Sequence, residues 1–146
     1  MPLYFFDTSA LVKRYHVETG SGKVDEIFND PEGIFTIASI TIAEFTSVFV
    51  RKLNEGIISE DDLHVCLSEF SKDMISSFWI IDLERNHINK SIPLIIKHNL
   101  RTLDSLQLAV FLNLSPINPT MITSDEILYD ATIKEGFKAI KPSMEL

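Results

Sequence analysis

Leu3-Tyr4-Phe5-Phe6-Asp7-Thr8-Ser9-Ala10-Leu11 is the stretch on which the reading of the fold turns. The run from Leu3 to Phe6 suits a short buried strand, and residues 9–15 have the look of a short helix, so the chain opens with a strand-to-helix step. Asp7 stands at that junction, beside two hydroxyl residues.

The step repeats downstream. Ser21 caps an amphipathic helix carrying Val24, Ile27 and Phe28 on one side, and a turn at Asn29, Asp30, Pro31 and Gly33 leads into a second strand at residues 34–39. Helical patterning then covers residues 41–54 and stops at Gly56. Ser59 and Asp62 open another helix through residue 71, and the two form a helical hairpin. Residues 78–83 read as a third strand, and residues 84–98 as a helix that Pro93 kinks or splits. An apolar helix over residues 102–112 ends before Pro116 and Pro119, residues 120–123 form a fourth strand, and Asp125 opens a helix that Gly136 closes. Residues 137–140 supply a fifth strand. Strands alternating with helices predict an α/β fold, a three-layer α/β/α sandwich on a mainly parallel sheet of about five strands.

Four acids share one placement in this scheme. Asp7, Glu44, Asp104 and Asp125 each sit where an apolar run gives way to a helix, in the contexts LYFFDTSAL, ASITIAEFTS, LRTLDSLQLAV and MITSDEIL. In an open parallel sheet with helical crossovers such junctions lie along one edge, where ligands and chemistry collect. Like charges ~4 Å apart repel by roughly 4 kcal/mol at an effective dielectric of ~20, so a cluster of carboxylates needs a partner, and a hard divalent cation suits oxygen ligands. Each acid taken singly also has a plain structural explanation. Thr41 and Glu44 match a capping box, Asp7 and Asp125 match helix caps, and Asp104 suits the dipole of a first turn. Capping does not require the four to converge, and Asp104 stands on an apolar segment where an unpaired charge is expensive. Thr8, Ser9 and Thr123 are placed to hydrogen-bond these carboxylates.

The gross numbers narrow the function. The 146 residues fit one domain spanning 1–146, and 45% hydrophobic content is ordinary for a soluble globule. A single cysteine, Cys66, excludes an intrachain disulfide, and the start MPLYFF lacks the features of a signal peptide, so a cytoplasmic setting is expected. No apolar run reaches the ~20 residues of a membrane span. Thirteen Lys and Arg against 21 Asp and Glu give a net charge of -8, the wrong sign for holding nucleic acid by bulk electrostatics. A phosphate substrate must be held locally, by a metal or by basic residues such as Lys13, Arg14, Arg51, Lys52 and Arg101.

Other patterns carry less. Thr19-Gly20-Ser21-Gly22-Lys23 lacks the first Gly and the final Ser or Thr of a phosphate-binding loop and reads as a flexible turn. His16, His64, His87 and His98 have no metal-ligand spacing and are expected on solvated helix faces. Asp7-Thr8-Ser9 lacks the second Asp of an aspartyl-phosphate enzyme, and Ser9 lacks triad partners. Phe5, Phe6, Phe35, Phe78, Trp79 and Phe111 lie in apolar runs and are expected to pack in the core.

With these residues in view, the sequence resembles the PIN-domain ribonucleases, in particular the toxin component of VapBC-type toxin-antitoxin pairs. The likeness rests on residues 7–11, 39–44, 100–104 and 123–128, in register over nearly the whole chain. It implies that Asp7, Glu44, Asp104 and Asp125 form an acidic quartet for Mg²⁺ or Mn²⁺, with Asp7, Asp104 and Asp125 as the main metal ligands. Ser9 or Thr123 would assist, and Arg101 matches a frequent basic position. Ser105 departs from the Ala that often follows the third acid. The resemblance further implies an RNA substrate, a small antitoxin partner in the acidic groove and a homodimer. Apolar surface on the helices of residues 41–71 is the expected place for partner contacts. Two competing functions share the same residues: a non-catalytic binding or regulatory module, and a small metal-dependent phosphohydrolase.

Overall fold

A computed structural model describes residues 1–143. Five strands, β1 (Leu3–Phe6), β2 (Ile34–Ala38), β3 (Phe78–Ile81), β4 (Thr120–Ile122) and β5 (Lys138–Ile140), form one sheet in the order β3-β2-β1-β4-β5, with every pair parallel. Parallel neighbours need crossovers, and seven α-helices lie between or beside the strands: α1 (Thr8–Leu11), α2 (Ser21–Phe28), α3 (Ile40–Asn54), α4 (Glu60–Ser76), α5 (Arg85–His98), α6 (Thr102–Asn113) and α7 (Glu126–Lys134).

Side chains on a strand alternate between faces, and the register makes the alternation common to the sheet. Leu3 and Phe5 on β1, Ala38 on β2 and Met121 on β4 pack with Leu94, Leu108, Phe111, Leu128 and Ala131, so α5, α6 and α7 cover that face. Phe6, Ile37 and Ile122 point the other way, into Leu11, Val24, Phe45, Phe49 and Phe70 of α1 to α4. The three-layer α/β/α sandwich is therefore the architecture found. Among the described residues no helix is long and apolar enough to cross a membrane.

Several local expectations change. Pro93 lies inside an unbroken α5, and Asn89, whose carbonyl loses its amide partner there, is exposed and open to water. Ser21 is the first helical residue and not the cap. Gly20 takes the cap position at φ 95°, where an added Cβ would lie 3.1 Å from Pro142, while Ser21 Oγ accepts the Glu18 amide. The Ser59–Asp62 capping box forms as expected, but α4 runs on to Ser76. Trp79 is on an edge strand and is 44% exposed, so it is not a core residue. His87 is buried and accepts the Glu84 amide on Nδ1 as part of the α5 cap, and the His98 side chain is buried against Glu135, so neither occupies a solvated face.

Candidate active site

Strand order reverses at β1, which has β2 on one side and β4 on the other, so the carboxyl ends of β1 and β4 border a topological switch point. Asp7 leaves β1 there and caps α1, with Oδ1 accepting the Ala10 amide at 3.1 Å. Ser9 Oγ donates to Oδ1 at 2.8 Å, and Thr123 Oγ1 donates to Oδ2 at 2.8 Å. Those hydroxyls in turn accept amides from the neighbouring corner: Ser124 N–H to Ser9 Oγ at 2.9 Å and Asp125 N–H to Thr123 Oγ1 at 3.0 Å. The β1–α1 and β4–α7 corners are thus stitched together through one carboxylate. Burial pushes Asp7 from 3.8 up to about 7; the hydrogen bonds from Ser9, Thr123 and Ala10 pull it down, and the charge of Asp104 raises it.

Glu44 reaches the same place from α3. The capping box that Thr41 and Glu44 match in sequence is not made: Ser39 is the cap residue of α3, and its Oγ accepts the Leu83 amide at 2.9 Å. Glu44 Oε1 accepts Thr8 Oγ1 at 3.0 Å and Gln107 Nε2 at 3.0 Å. Gln107, on α6, also donates to Thr41 Oγ1 at 2.7 Å. Sequence reasoning missed Gln107 and the tertiary use of Thr41. The available signal was a polar residue inside the apolar run of α6, three places after Asp104 and hence on the same helix face.

Asp104 occupies the first turn of α6, half-buried, and its carboxylate accepts no hydrogen bond among the described residues. Burial, then the charges of Asp125 and Glu44, push it from 3.8 up to about 6, with Arg101 pulling the other way. Asp125 caps α7, with Oδ1 accepting the Leu128 amide at 2.8 Å. A single cavity of about 240 Å³ is lined by Asp7, Glu44, Asp104 and Asp125 together, along with Ser9 and Gln107. Thr123 stands behind Asp7, fully buried.

Of the five basic residues considered from sequence, only Arg51 and Arg101 line this cavity. Lys13 and Lys52 are tied to Glu18 at 3.1 and 3.3 Å, and Arg14 to Asp73 at 3.1 Å. A second, more apolar groove of about 460 Å³ adjoins through Glu44, Val48 and Arg51, and adds Ile40, Ala43 and Leu103.

An all-oxygen donor set fits a hard divalent ion. Glu44 Oε2, Asp125 Oδ2 and both oxygens of Asp104 accept no hydrogen bond among the described residues, and the charges of Asp125 and Glu44 add to burial in raising Asp104. Among the described residues no three ligand side chains already close around one point, so this is not a dry cage. Mg²⁺ keeps several waters and binds through one or two carboxylates, which such an open arrangement can supply.

Several solved structures share this architecture. VapC20 of Mycobacterium tuberculosis, described as a sarcin-ricin loop cleaving toxin, superposes with a TM-score of 0.70 at 12% identity, over 95% of this chain and 99% of that one. A toxin-antitoxin complex from Klebsiella pneumoniae gives 0.63 at 18% identity, over 98% and 99%. FitAcB from Neisseria gonorrhoeae gives 0.65 at 15%, over 95% and 97%. No family model matches the chain, and no curated protein sequence matches it significantly. At such identities the likeness establishes the fold, which is the PIN-like sandwich expected from the sequence.

Proposed function

We propose that this PIN-like chain is a metal-dependent endoribonuclease and the toxin of a toxin-antitoxin pair. The observation that carries the reading is the convergence of Asp7, Glu44, Asp104 and Asp125, spread over most of the sequence, on one cavity at the switch point of the sheet. The solved toxins of the same fold support it.

In this mechanism Asp104, Asp125 and Asp7 hold Mg²⁺ or Mn²⁺. An ion held there would lower the pKa of a water and neutralise charge on the phosphate. Glu44 orients the attacking water through its free Oε2. Ser9 and Thr123 keep Asp7 in one rotamer, as outer partners of a ligand do. Arg51 and Arg101 take the flanking phosphates, answering the question that a net charge of -8 poses. Water oxygen attacks phosphorus, the P–O bond to a ribose oxygen breaks, one proton of the water ends on that leaving oxygen, and no carboxylate becomes covalently modified.

The deciding experiment compares RNA with a generic phosphate ester, each with Mg²⁺, Mn²⁺ or EDTA. RNA is cut only with the metal, the simple ester is not turned over, and Asp104→Asn lowers the rate at least ~100-fold, beyond the loss typical of an outer partner. Cleavage undiminished in folded Asp104→Asn refutes the assignment; turnover of the ester alone selects the phosphohydrolase, and no turnover of either the binding module. The protein acts in the cytoplasm, with an antitoxin that sets a basic side chain among the carboxylates. Growth arrest on induction, relieved by co-expression of the cognate small protein, checks that part.

A further inference from the structure

We infer that Gln107 is a positioning residue for Glu44, holding its carboxylate so that Oε2 alone is left for the ion or its water; this rests on the nuclease reading above. Gln107 is 2% exposed, within the otherwise apolar middle of α6. An amide nitrogen carries two hydrogens. Here they go to Thr41 Oγ1 at 2.7 Å and Glu44 Oε1 at 3.0 Å, while Thr8 Oγ1, 3.5 Å from Nε2, gives its own hydrogen to the same Oε1 at 3.0 Å.

The orientation of the amide is forced. Turned over, it would set its carbonyl oxygen against the carboxylate, with two acceptors facing each other and no hydrogen between them. In the orientation found, Gln107 Oε1 is buried without a partner among the described residues. An unmet acceptor in the interior costs stability, and an apolar side chain of the same size would avoid that cost. The carbonyl end therefore does not account for a glutamine here, and the bond to the fully buried Thr41 Oγ1 uses only one of the two Nε2 hydrogens. The Nε2 end accounts for it, because it ties the Glu44 side chain to α6, the helix that also carries Asp104. One rigid element thus presents one acid and fixes another, the support that a working constellation needs.

The test uses Gln107→Met, close in shape and unable to donate, with Thr41→Val as a second variant that removes the other anchor of the amide. With Gln107→Met the metal-free protein melts lower, because the buried Thr41 Oγ1 loses its donor, while kcat for RNA in the folded variant falls ~10–100-fold with KM little changed and half-saturation by Mn²⁺ in thermal shift moves upward. Thr41→Val moves both in the same direction by less, and decides the matter if Gln107→Met does not fold. Adding Gln107→Met to Glu44→Gln changes Mn²⁺ half-saturation no further, since coupled residues are not additive. Wild-type cleavage with unchanged kcat and Mn²⁺ dependence in Gln107→Met overturns this inference alone. Full additivity with Glu44→Gln overturns it too. A wild-type protein that neither cleaves RNA nor responds to Mn²⁺ overturns the nuclease reading and this inference with it.

Discussion

Three donors reach Asp7, yet its burial outweighs them, and the carboxyl is held at about 7 against an ordinary 3.8. Raised in the folded state, the group binds its proton more tightly there than in the unfolded chain. Its contribution to stability is complete below about pH 4 and is lost as pH rises through about 7, on the order of 4 kcal/mol for such a shift. Asp104, raised to about 6, acts in the same sense. Glu18 and Glu135 are lowered and act oppositely, so the clean quantity is the difference between wild type and Asp7→Asn. Between pH 4 and 8 the metal-free wild type loses stability relative to Asp7→Asn, and Mg²⁺ at pH 8 restores it, as chemical denaturation in EDTA or Mg²⁺ would show. Parallel curves for the two proteins would contradict this account. Asp7 and Asp125 were legible because each caps a helix directly after a strand, and Asp104 and Glu44 because a charge interrupts an apolar run near a helix start, although α6 follows α5 and Glu44 lies a turn inside α3. Gln107 was not, because its partners Glu44 and Thr41 lie more than sixty residues away and no local pattern encodes that contact.

At the scale of elements, strands and helices were readable where period and breakers agree, as in β1, α3 and α6. Local pattern misled where tertiary contacts decide: Thr41 matches a capping box in sequence but accepts the Gln107 amide, and Trp79 has an apolar neighbourhood in sequence but an edge position in the sheet. There is a second exposed apolar surface besides the one expected on residues 41–71. Residues 41–71 carry scattered exposed apolar residues, whereas Ile88, Ile92 and Ile96 of α5, four apart and 48%, 55% and 80% exposed, make a continuous stripe. A homodimer of the kind the family resemblance implies would gain roughly 1 kcal/mol per copy from each Ile of this stripe that it covers. Light scattering should give a dimer mass for wild type and a monomer mass for Ile92→Glu/Ile96→Glu, with the monomer still folded. A dimer unaffected by both substitutions would place the interface elsewhere.

For the whole molecule, charge and topology pull against each other. Alternation of element types made the parallel sheet and its acidic edge readable, but the order β3-β2-β1-β4-β5 was not, because short buried strands of similar apolar character do not name their neighbours. That order brings Asp7 and Asp125 to adjacent corners, and it leaves only Arg51 and Arg101 as cations lining a cavity in a protein of net charge -8. Counterion release from single-stranded nucleic acid scales with the phosphates neutralised, with a slope of about -0.7 for each. Two arginines therefore set a logarithmic slope of RNA affinity against salt no steeper than about -1.4, with the divalent ion held constant. Titrating single-stranded RNA in fluorescence anisotropy against KCl should give that shallow line. Arg51→Gln/Arg101→Gln should flatten it further while weakening binding in low salt. A slope near -4 in wild type would require a broad basic track, and the ties of Lys13 and Lys52 to Glu18 and of Arg14 to Asp73 remove the residues that could form one beside this cavity.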